Sequence, residues 1–470
     1  MNTAHKLFIL HSALCILHSL AASAASVSSV TFDFNALNRL ATVNYALSGA
    51  PAIVTADIQT NRTGTATADA ADWISVGAAN AVLIGDVHTL VETDGDHKIL
   101  WKPDATFGDL SIAPGAIRAV VTAWDTLAPP DYLVVDLVNA SNRWYYASEA
   151  SLPHGGIGSD YYRQDAIVMR RIPAAGVKWT MGAPSGKRFD DTNVQQHYVR
   201  LTNDYYMAVF ELTIGQLRKF ASVERVGTAQ YINRFHYWDS RISNYVSAYQ
   251  YYVNYYKADT NNCPAVEMGH GFLRCNTGSS VTNWPGGRHW VYSGGPLGKM
   301  RARTGVDFDL PTEAQWEFAC RAGTGTMTPS GDFTASTHSS VLSGIAWYNG
   351  NRPAGYSNWC GPVHRVGTKN PNQYGLYDMI GNVGEACLDW YAADYGIGSA
   401  DVTTTVFVEP EGPATGSGRV CRGYYARYDY PGMLSATRSK CDTGKWYGAR
   451  LMCPVGLLFP AKEKKAPTAQ

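Results

Sequence analysis

Hydrophobic and polar residues alternate in short runs over the first part of the chain, between Val27 and about Leu137. A period of two residues puts the apolar side chains on one face of a strand. Gly, Pro, Asp and Asn separate the runs, as at Ser48–Pro51. Short strands at this spacing predict a β-sandwich over residues 25–138. The predicted strands are Val27–Phe34, Leu40–Leu47, Ala52–Thr60, His97–Trp101, Ala116–Trp124 and Tyr132–Leu137.

Beyond this region the pattern changes to scattered helical periods among Gly- and Trp-containing loops. Two capping boxes, Thr213-x-x-Gln216 and Thr312-x-x-Gln315, each precede apolar residues at helical spacing and predict two helices, the first over Glu211–Ala221. Apolar residues spaced by three and four between Ile242 and Tyr256 favour a third helix. Residues 139–165 are polar and predict a linker, and residues 461–470 predict a disordered tail.

The N-terminus has the pattern of a secretory signal peptide. One Lys precedes the apolar run Leu7–Leu20, and Ala22-Ser23-Ala24 provides small residues at a cleavage site. We therefore expect residues 1–24 to be removed and the protein to be secreted, periplasmic or displayed at the cell surface. A buried N-terminal helix is the alternative. No later run reaches the roughly 18 apolar residues of a membrane span, so no membrane span is expected in the mature protein.

Charge and cysteine content narrow the function classes. Lys and Arg number 39 and Asp and Glu number 39, and this balance argues against a nucleic-acid partner, which usually requires a basic face. After removal of Cys15, eight cysteines remain, all between Cys263 and Cys453. An even number in an exported chain predicts disulfides, whose connectivity is open, and free buried thiols are the alternative.

Several segments of the second half resemble the formylglycine-generating enzyme, or sulfatase-modifying factor, family. The segments are Ala174–Gly182, Tyr205–Phe220, Asp307–Gly323, Tyr374–Tyr391, Arg419–Gly423, Ser435–Arg438 and Gly448–Arg450. The resemblance implies a loop-rich domain related to C-type lectins over residues 166–460. Together with the sandwich, it gives an α+β fold class.

Enzymes of that family look to need two nearby cysteines in the closing motif, which bind copper. Soft thiolates select Cu(I). Here the stretch between Gly423 and Arg438 contains no cysteine, and Cys421 and Cys441 flank it. Copper and the oxidation of a substrate cysteine are therefore not expected, and whether the protein is an enzyme is uncertain. A disulfide between Cys421 and Cys441, or their convergence into a rebuilt copper site, remain alternatives.

The central motif of the family resembles a calcium loop. The matching positions are Asp378, Gly381, Val383 and Glu385, which would supply carboxylate and backbone oxygens to Ca²⁺. Two acids seven residues apart are, without the motif, typical of a solvated surface. Calcium is thus an expectation that rests on the resemblance.

Aromatic residues replace the usual closing motif of the family. Tyr and Trp provide rigid contact area, and Arg adds bidentate and cation–π contacts. We therefore predict a surface that binds a protein, peptide or glycan, with packing of the aromatics in the core as the alternative. The second functional hypothesis is an oxidase of the sulfatase-activation type, or an enzyme that modifies another side chain. The candidate ligand-binding residues are Tyr424, Tyr425, Arg427, Tyr428, Asp429, Tyr430, Trp446 and Tyr447.

Overall fold

A computed structural model describes most of the chain. The residues described are 24–35, 37–61, 70–77, 82–103, 115–139, 142–184, 194–220, 236–239, 244–247, 261–266, 268–274, 289–351, 363–426, 429–441 and 447–459. The predicted signal peptide, apart from Ala24, and the predicted tail lie outside this set. The described part is mostly β-structure with few and short helices. None of its helices has the length and apolarity needed to cross a bilayer.

The N-terminal region is rich in β-structure, as the alternation predicts. Its strands are β1 (Ser26–Asn35), β2 (Leu40–Ser48), β3 (Ala52–Asn61), β4 (Trp73–Ser75), β5 (Leu83–Gly85), β6 (Thr89–Val91), β7 (Gly95–Trp101) and β8 (Ile117–Trp124). One sheet has the order β1-β2-β7-β5; in the other, β3 pairs with β4, β6 and β8. Alternate residues of β2 are buried, and Val43 packs with Val54 and Trp101 in a core shared by both sheets.

A five-stranded antiparallel sheet with the order β10-β9-β11-β14-β22 organises the second region. The first eight strands of this region are β9 (Tyr132–Asp136), β10 (Arg143–Tyr146), β11 (Ala166–Ile172), β12 (Lys178–Met181), β13 (His197–Arg200), β14 (Tyr205–Ala208), β15 (His236–Asp239) and β16 (Asn244–Ser247). The remaining strands are β17 (Gly384–Trp390), β18 (Val406–Val408), β19 (Arg419–Arg422), β20 (Arg438–Cys441), β21 (Tyr447–Gly448) and β22 (Met452–Pro454).

The predicted boundary at residue 138 needs correction. Strand β9, predicted as the last sandwich strand, pairs with β11 in the second sheet, with Val135 opposite Ile167. All five residues of β9 are buried, which is typical of a central strand covered on both faces. The predicted linker, residues 139–165, likewise contains β10 and a helical turn with the buried Tyr162. The second unit therefore begins at β9.

The helices are α1 (Tyr161–Gln164), α2 (Ile214–Leu217), α3 (His270–Arg274), α4 (Pro296–Thr304), α5 (Glu313–Arg321), α6 (His338–Ile345) and α7 (Val455–Leu458). Both predicted capping boxes are confirmed at α2 and α5. Thr213 Oγ1 accepts from the Gln216 N–H at 3.1 Å, and Thr312 Oγ1 accepts from the Gln315 N–H at 3.1 Å. Helix α2 is shorter than predicted because the α-helix ends at Leu217.

The predicted helix between Ile242 and Tyr256 is wrong where the structure describes it. Strands β15 and β16 form an antiparallel hairpin there, with Trp238 opposite Tyr245. The aromatic and β-branched residues of this segment are common in strands, although their spacing by three and four is typical of a helix. The other residues of that prediction lie outside the described part of the chain.

Candidate functional site

Strands β17, β19, β20 and β21 bring the central and closing motifs into one four-stranded sheet. Its order is β20-β19-β17-β21. In the register, Glu385 lies opposite Arg422 and Ala386 opposite Cys421, while the short parallel strand β21 puts Tyr447 beside Gly384. The sheet thus contains Glu385 and Tyr447 of the predicted site residues, and the contacts of each side chain decide its role.

Glu385 is engaged by two buried donors. Both of its oxygens lie within 3.1 Å of the Arg450 guanidinium, and one accepts a hydrogen bond from Trp316 Nε1 at 2.6 Å. All three side chains are buried. Arg450 also donates to the backbone carbonyls of Ala208 and Val209. Glu385 therefore anchors an arginine that ties the central motif to the end of β14.

The turn that precedes β17 depends on a second buried acid, Glu211. Its two oxygens accept hydrogen bonds from Asn382 Nδ2 at 2.7 Å and from the Val383 N–H at 3.1 Å. Burial, together with the charges of Asp378 and Glu385, raises the pKa of Glu211 well above its usual value. Sequence reasoning missed Glu211; its signal was an acid inside the apolar stretch Ala208–Leu212.

Asp378 differs from the other buried acids because one of its oxygens has no hydrogen-bond partner. The other, Oδ2, accepts from the Gly367 N–H at 2.6 Å. Burial raises the pKa of Asp378 to about 6, against the opposing effects of that hydrogen bond and of Arg450. Gly381 has a φ of +84°, and a Cβ there would lie 2.3 Å from the Trp347 carbonyl oxygen. These features describe a tight, glycine-dependent turn with a spare carboxylate oxygen.

These contacts weigh against a calcium site formed by Asp378, Gly381, Val383 and Glu385. Glu385 has its oxygens on a guanidinium and an indole N–H, and a guanidinium repels a second cation. Within the described ranges, no three His, Cys, Asp or Glu side chains come together in a group that could hold a metal ion. Of the two predicted carboxylate ligands, Asp378 is the one with an oxygen that has no hydrogen-bond partner. Calcium stays a prediction, which the geometry of Glu385 disfavours.

The arginines of the closing motif are core residues. Arg422 and Arg438 both bond Glu313, Arg438 in two contacts of 2.6 Å, and Arg422 also pairs with Glu317. Glu317 in turn binds Arg321 and the Gly182 N–H. The whole group is buried. Helix α5 is thereby attached to strands β19 and β20, and these arginines are not available to a ligand.

Cys421 and Cys441 approach each other across neighbouring strands. Cys421 lies opposite Ser439 and Cys441 opposite Arg419, so the two cysteines form a diagonal pair on one face. Both pack with Tyr425 and Tyr447. Burial and the hydrogen bond with Cys441 raise the pKa of the Cys421 thiol well above its usual value. A high pKa keeps the thiol protonated and weakens it as a metal ligand.

Five of the described cysteines are free thiols, contrary to the disulfide prediction for them. They are Cys320, Cys387, Cys421, Cys441 and Cys453. Four of the five are buried, so the alternative of buried thiols applies to this set. Cys275 and Cys360 lie outside the described residues.

The predicted ligand-binding residues divide into three groups. Tyr425 and Tyr447 are only 5% and 6% exposed and form an edge-to-face pair in the cysteine cluster, so packing, not recognition, is their role. Arg427, Tyr428 and Trp446 lie outside the described residues. Tyr424 and Tyr430 are half-buried and Asp429 is exposed. Tyr430 stacks on His338 at 4.2 Å, and Asp429 accepts a hydrogen bond from the Tyr430 N–H.

Comparison with known proteins gives a consistent family signal. A family model described as the sulfatase-modifying factor enzyme 1-like domain matches residues 168–452. The formylglycine-generating enzyme of Thermomonospora curvata is 32% identical over an alignment of 180 residues that covers 35% of this chain and 54% of that enzyme. The serine/threonine-protein kinase pkn1 of Chlamydia pneumoniae is 35% identical over 115 residues, covering 24% of this chain and 15% of the kinase. The chain spans about half, or less, of the length of these curated relatives.

Two solved structures have similar chains. PvdO from Pseudomonas aeruginosa has a TM-score of 0.41 at 20% identity and covers 61% of this chain and 94% of its own. Treponema denticola variable protein 1 has a TM-score of 0.35 at 24% identity and covers 61% of this chain and 95% of its own.

Proposed function

Over residues 168–452 the chain belongs to the sulfatase-modifying factor enzyme 1-like family, and from this premise we propose an exported member that binds a ligand without oxidising cysteine. The ligand is a protein, peptide or glycan. The observation that carries the proposal is the closing segment between β19 and β20. It contains no cysteine, and its flanking Cys421 has a buried thiol with a raised pKa.

The binding surface that we propose is the partly exposed remainder of the predicted set: Tyr424, Asp429 and Tyr430, with His338 beside them. The stack of Tyr430 on His338 keeps one ring in a fixed orientation, which lowers the entropy lost on binding. Tyr424 has a φ of +56°, a conformation that side-chain-bearing residues rarely adopt. Such backbone strain concentrates at binding sites. Asp429 adds an exposed negative charge, which favours ligands with hydroxyl, amide or basic groups.

The test screens the mature protein on peptide and glycan arrays, with Tyr424→Ala and Tyr430→Ala in parallel. Trp290→Ala is the control, because Trp290 is an aromatic residue that is 50% exposed and lies outside this surface. We expect the parent and Trp290→Ala to share hits that weaken about tenfold or more in both Tyr variants, a typical effect for an aromatic hot spot. Hits that all four proteins share equally would remove the surface from consideration.

Oxidation of a substrate cysteine is the second candidate function, and the approach of Cys421 to Cys441 favours it. The decisive assay incubates the protein with Cu(I), oxygen and a Cys-x-Pro-x-Arg peptide and measures aldehyde by mass spectrometry. We expect no aldehyde, since the Cys421 thiol is buried and protonated at neutral pH. Turnover like that of an authentic formylglycine-generating enzyme, lost in Cys421→Ser, would establish the oxidase in place of the binding function.

Export rests on the N-terminal pattern alone. The intact mass of protein recovered outside the cytoplasm should correspond to a chain that begins near Ala25. Recovery of the full-length chain in the cytoplasm would contradict the signal peptide.

A further inference from the structure

A cavity of about 530 Å³ lies between the two sheets that meet at the junction of the N-terminal region and the family domain. On one side is β5, the edge strand of its sheet, and on the other is β10, the edge strand of the five-stranded sheet. The loop with His154 and Gly155 and the ring of Tyr161 complete the wall. Its volume falls in the range of sites for small molecules, and such sites are frequent where two domains meet.

Aromatic rings form most of one wall of this cavity. Trp144 and Tyr146 come from β10, and Tyr161 stacks against His154 with 3.9 Å between ring centroids. His88 faces Tyr146 at 4.6 Å. At the rim, Val82 and Ile84 are 65% and 64% exposed, which leaves apolar surface in water. Exposed apolar side chains beside an aromatic-lined cavity mark a surface that a ligand can cover.

His88 provides a hydrogen-bond acceptor in this cavity. Its carbonyl oxygen accepts from the Tyr145 N–H at 2.8 Å, and its Nδ1 lies 2.9 Å from the Tyr145 carbonyl oxygen. A carbonyl only accepts hydrogen bonds, so Nδ1 is the donor. Burial lowers the pKa of His88 to about 4, so the ring is neutral at pH 7 and Nε2 is an acceptor. His88 and His154 both have positive φ, +57° and +59°, which is uncommon outside functional or turn positions.

Among the residues that the structure describes, those that line the cavity include no Asp, Glu, Asn, Gln, Lys or Arg. A sugar would leave several hydroxyl groups without partners there, and a charged ligand would have no counter-ion. We propose that the cavity binds a small uncharged aromatic molecule that carries one ring N–H or O–H, of the indole or phenol class. The rings stack on the ligand, and His88 Nε2 accepts its hydrogen bond. The N-terminal region then supplies one side of a binding site.

Isothermal titration calorimetry of the full mature chain with indole tests the proposal at neutral pH. We expect saturable binding with one site per chain. 1-Methylindole has the same ring system without the donor, and we expect it to bind about tenfold more weakly, the effect of one lost hydrogen bond in a buried site. N-acetylglucosamine is the sugar probe, for which we expect no binding.

Two matched variants locate the site. Ile84→Asp puts a charge at the rim of the cavity, and we expect it to weaken indole binding about tenfold or more. Ile74→Asp changes an apolar residue that is 40% exposed on β4, away from the cavity, and should bind indole as the parent does. Thermal melts verify that both variants fold. Absence of indole binding, equal affinity in the two variants, or preference for the sugar would each overturn the proposal. Tyr430→Ala should not change indole affinity, which separates this site from the surface proposed above.

Discussion

The N-terminal sheets and the family domain are held together by different interactions. Strands β1, β2 and β3 have nine or ten residues each and share an apolar core around Val43 and Trp101. The ion pair that the structure describes there, Asp86 with His97, has an aspartate 51% exposed. The strands of the family domain have two to seven residues. Its core contains buried acids with their arginines, such as Glu317 with Arg422.

The two cores differ because the family domain has more of its backbone in loops, outside the sheets. Long strands satisfy backbone N–H and C=O groups by pairing with each other. Loops cannot do so, and a guanidinium with five donors can bond several carbonyls at once. Arg422 donates to the carbonyls of Ser435 and Ala436, and Arg450 to those of Ala208, Val209 and Tyr377. The buried acids keep these arginines in place. In the family domain, buried arginines thus satisfy backbone carbonyls, which in the N-terminal region are satisfied by hydrogen bonds between paired strands.

The largest expected effect comes from removal of one buried acid. Glu317→Ala removes the buried carboxylate that Arg321 and Arg422 share and leaves Arg422 with Glu313 alone, and the loss of a buried ion-pair partner costs about 3–5 kcal/mol of unfolding free energy. Asp86→Ala removes a carboxylate that is 51% exposed from its contact with His97 in the N-terminal sheets, and it should cost about 1 kcal/mol. Urea denaturation of the two variants measures both values. Equal losses of unfolding free energy would mean that buried acids do not stabilise the family domain more than the Asp86 contact stabilises the N-terminal region.

The next effect is expected from pH. Burial and the charge of Glu313 raise the pKa of Asp389 to about 8, whereas an unfolded aspartate titrates near 4. Between these values Asp389 is protonated in the folded protein and ionised in the unfolded chain. Its contribution to stability should therefore fall as pH rises from about 5 to about 8, by at most about 1.4 kcal/mol per pH unit. Asp389→Asn should remove this part of the slope, since the amide has no proton to lose.

Glu317 acts in the opposite direction. Arg321 and Arg422 hold its pKa below the usual value although burial acts to raise it, so its contribution is complete above about pH 4.3 and is lost at lower pH. Unfolding free energies measured from pH 3 to 8 separate the two acids. Asp33→Asn, on an exposed position of β1, is the control and should keep the slope of the parent. A parent slope that Asp389→Asn does not change would contradict the assignment.

The smallest effect is expected from calcium. Because Glu385 is committed to Arg450 and Trp316, about 1 mM Ca²⁺ should move the melting temperature by less than about 1 °C. Differential scanning fluorimetry with and without a chelator measures the shift. A larger rise that Asp378→Ala abolishes, while Asp33→Ala retains it, would restore the calcium loop predicted from the motif.

The sequence correctly predicted those structural features that are determined by residues close together in the chain. The capping boxes at Thr213 and Thr312 and the alternation along β2 appear in the structure because hydrogen bonds and side-chain faces within a few residues determine them. The same local reasoning misplaced β9, whose partner β11 lies some thirty residues further along the chain. It also predicted a helix at β16, where pairing with β15 makes a hairpin.

The sequence by itself determined the family, the β-rich N-terminal region and the lack of a cysteine pair in the closing segment, because these depend on which residues are present and in what order. Only the tertiary structure decided what the marked residues do. It directed Glu385 towards Arg450, buried Tyr425 and Tyr447, and brought Cys421 near Cys441. It also placed His88 beside Tyr145, more than fifty residues later, to close a cavity. Burial and long-range pairing set these roles, and neither can be read from residue type or spacing.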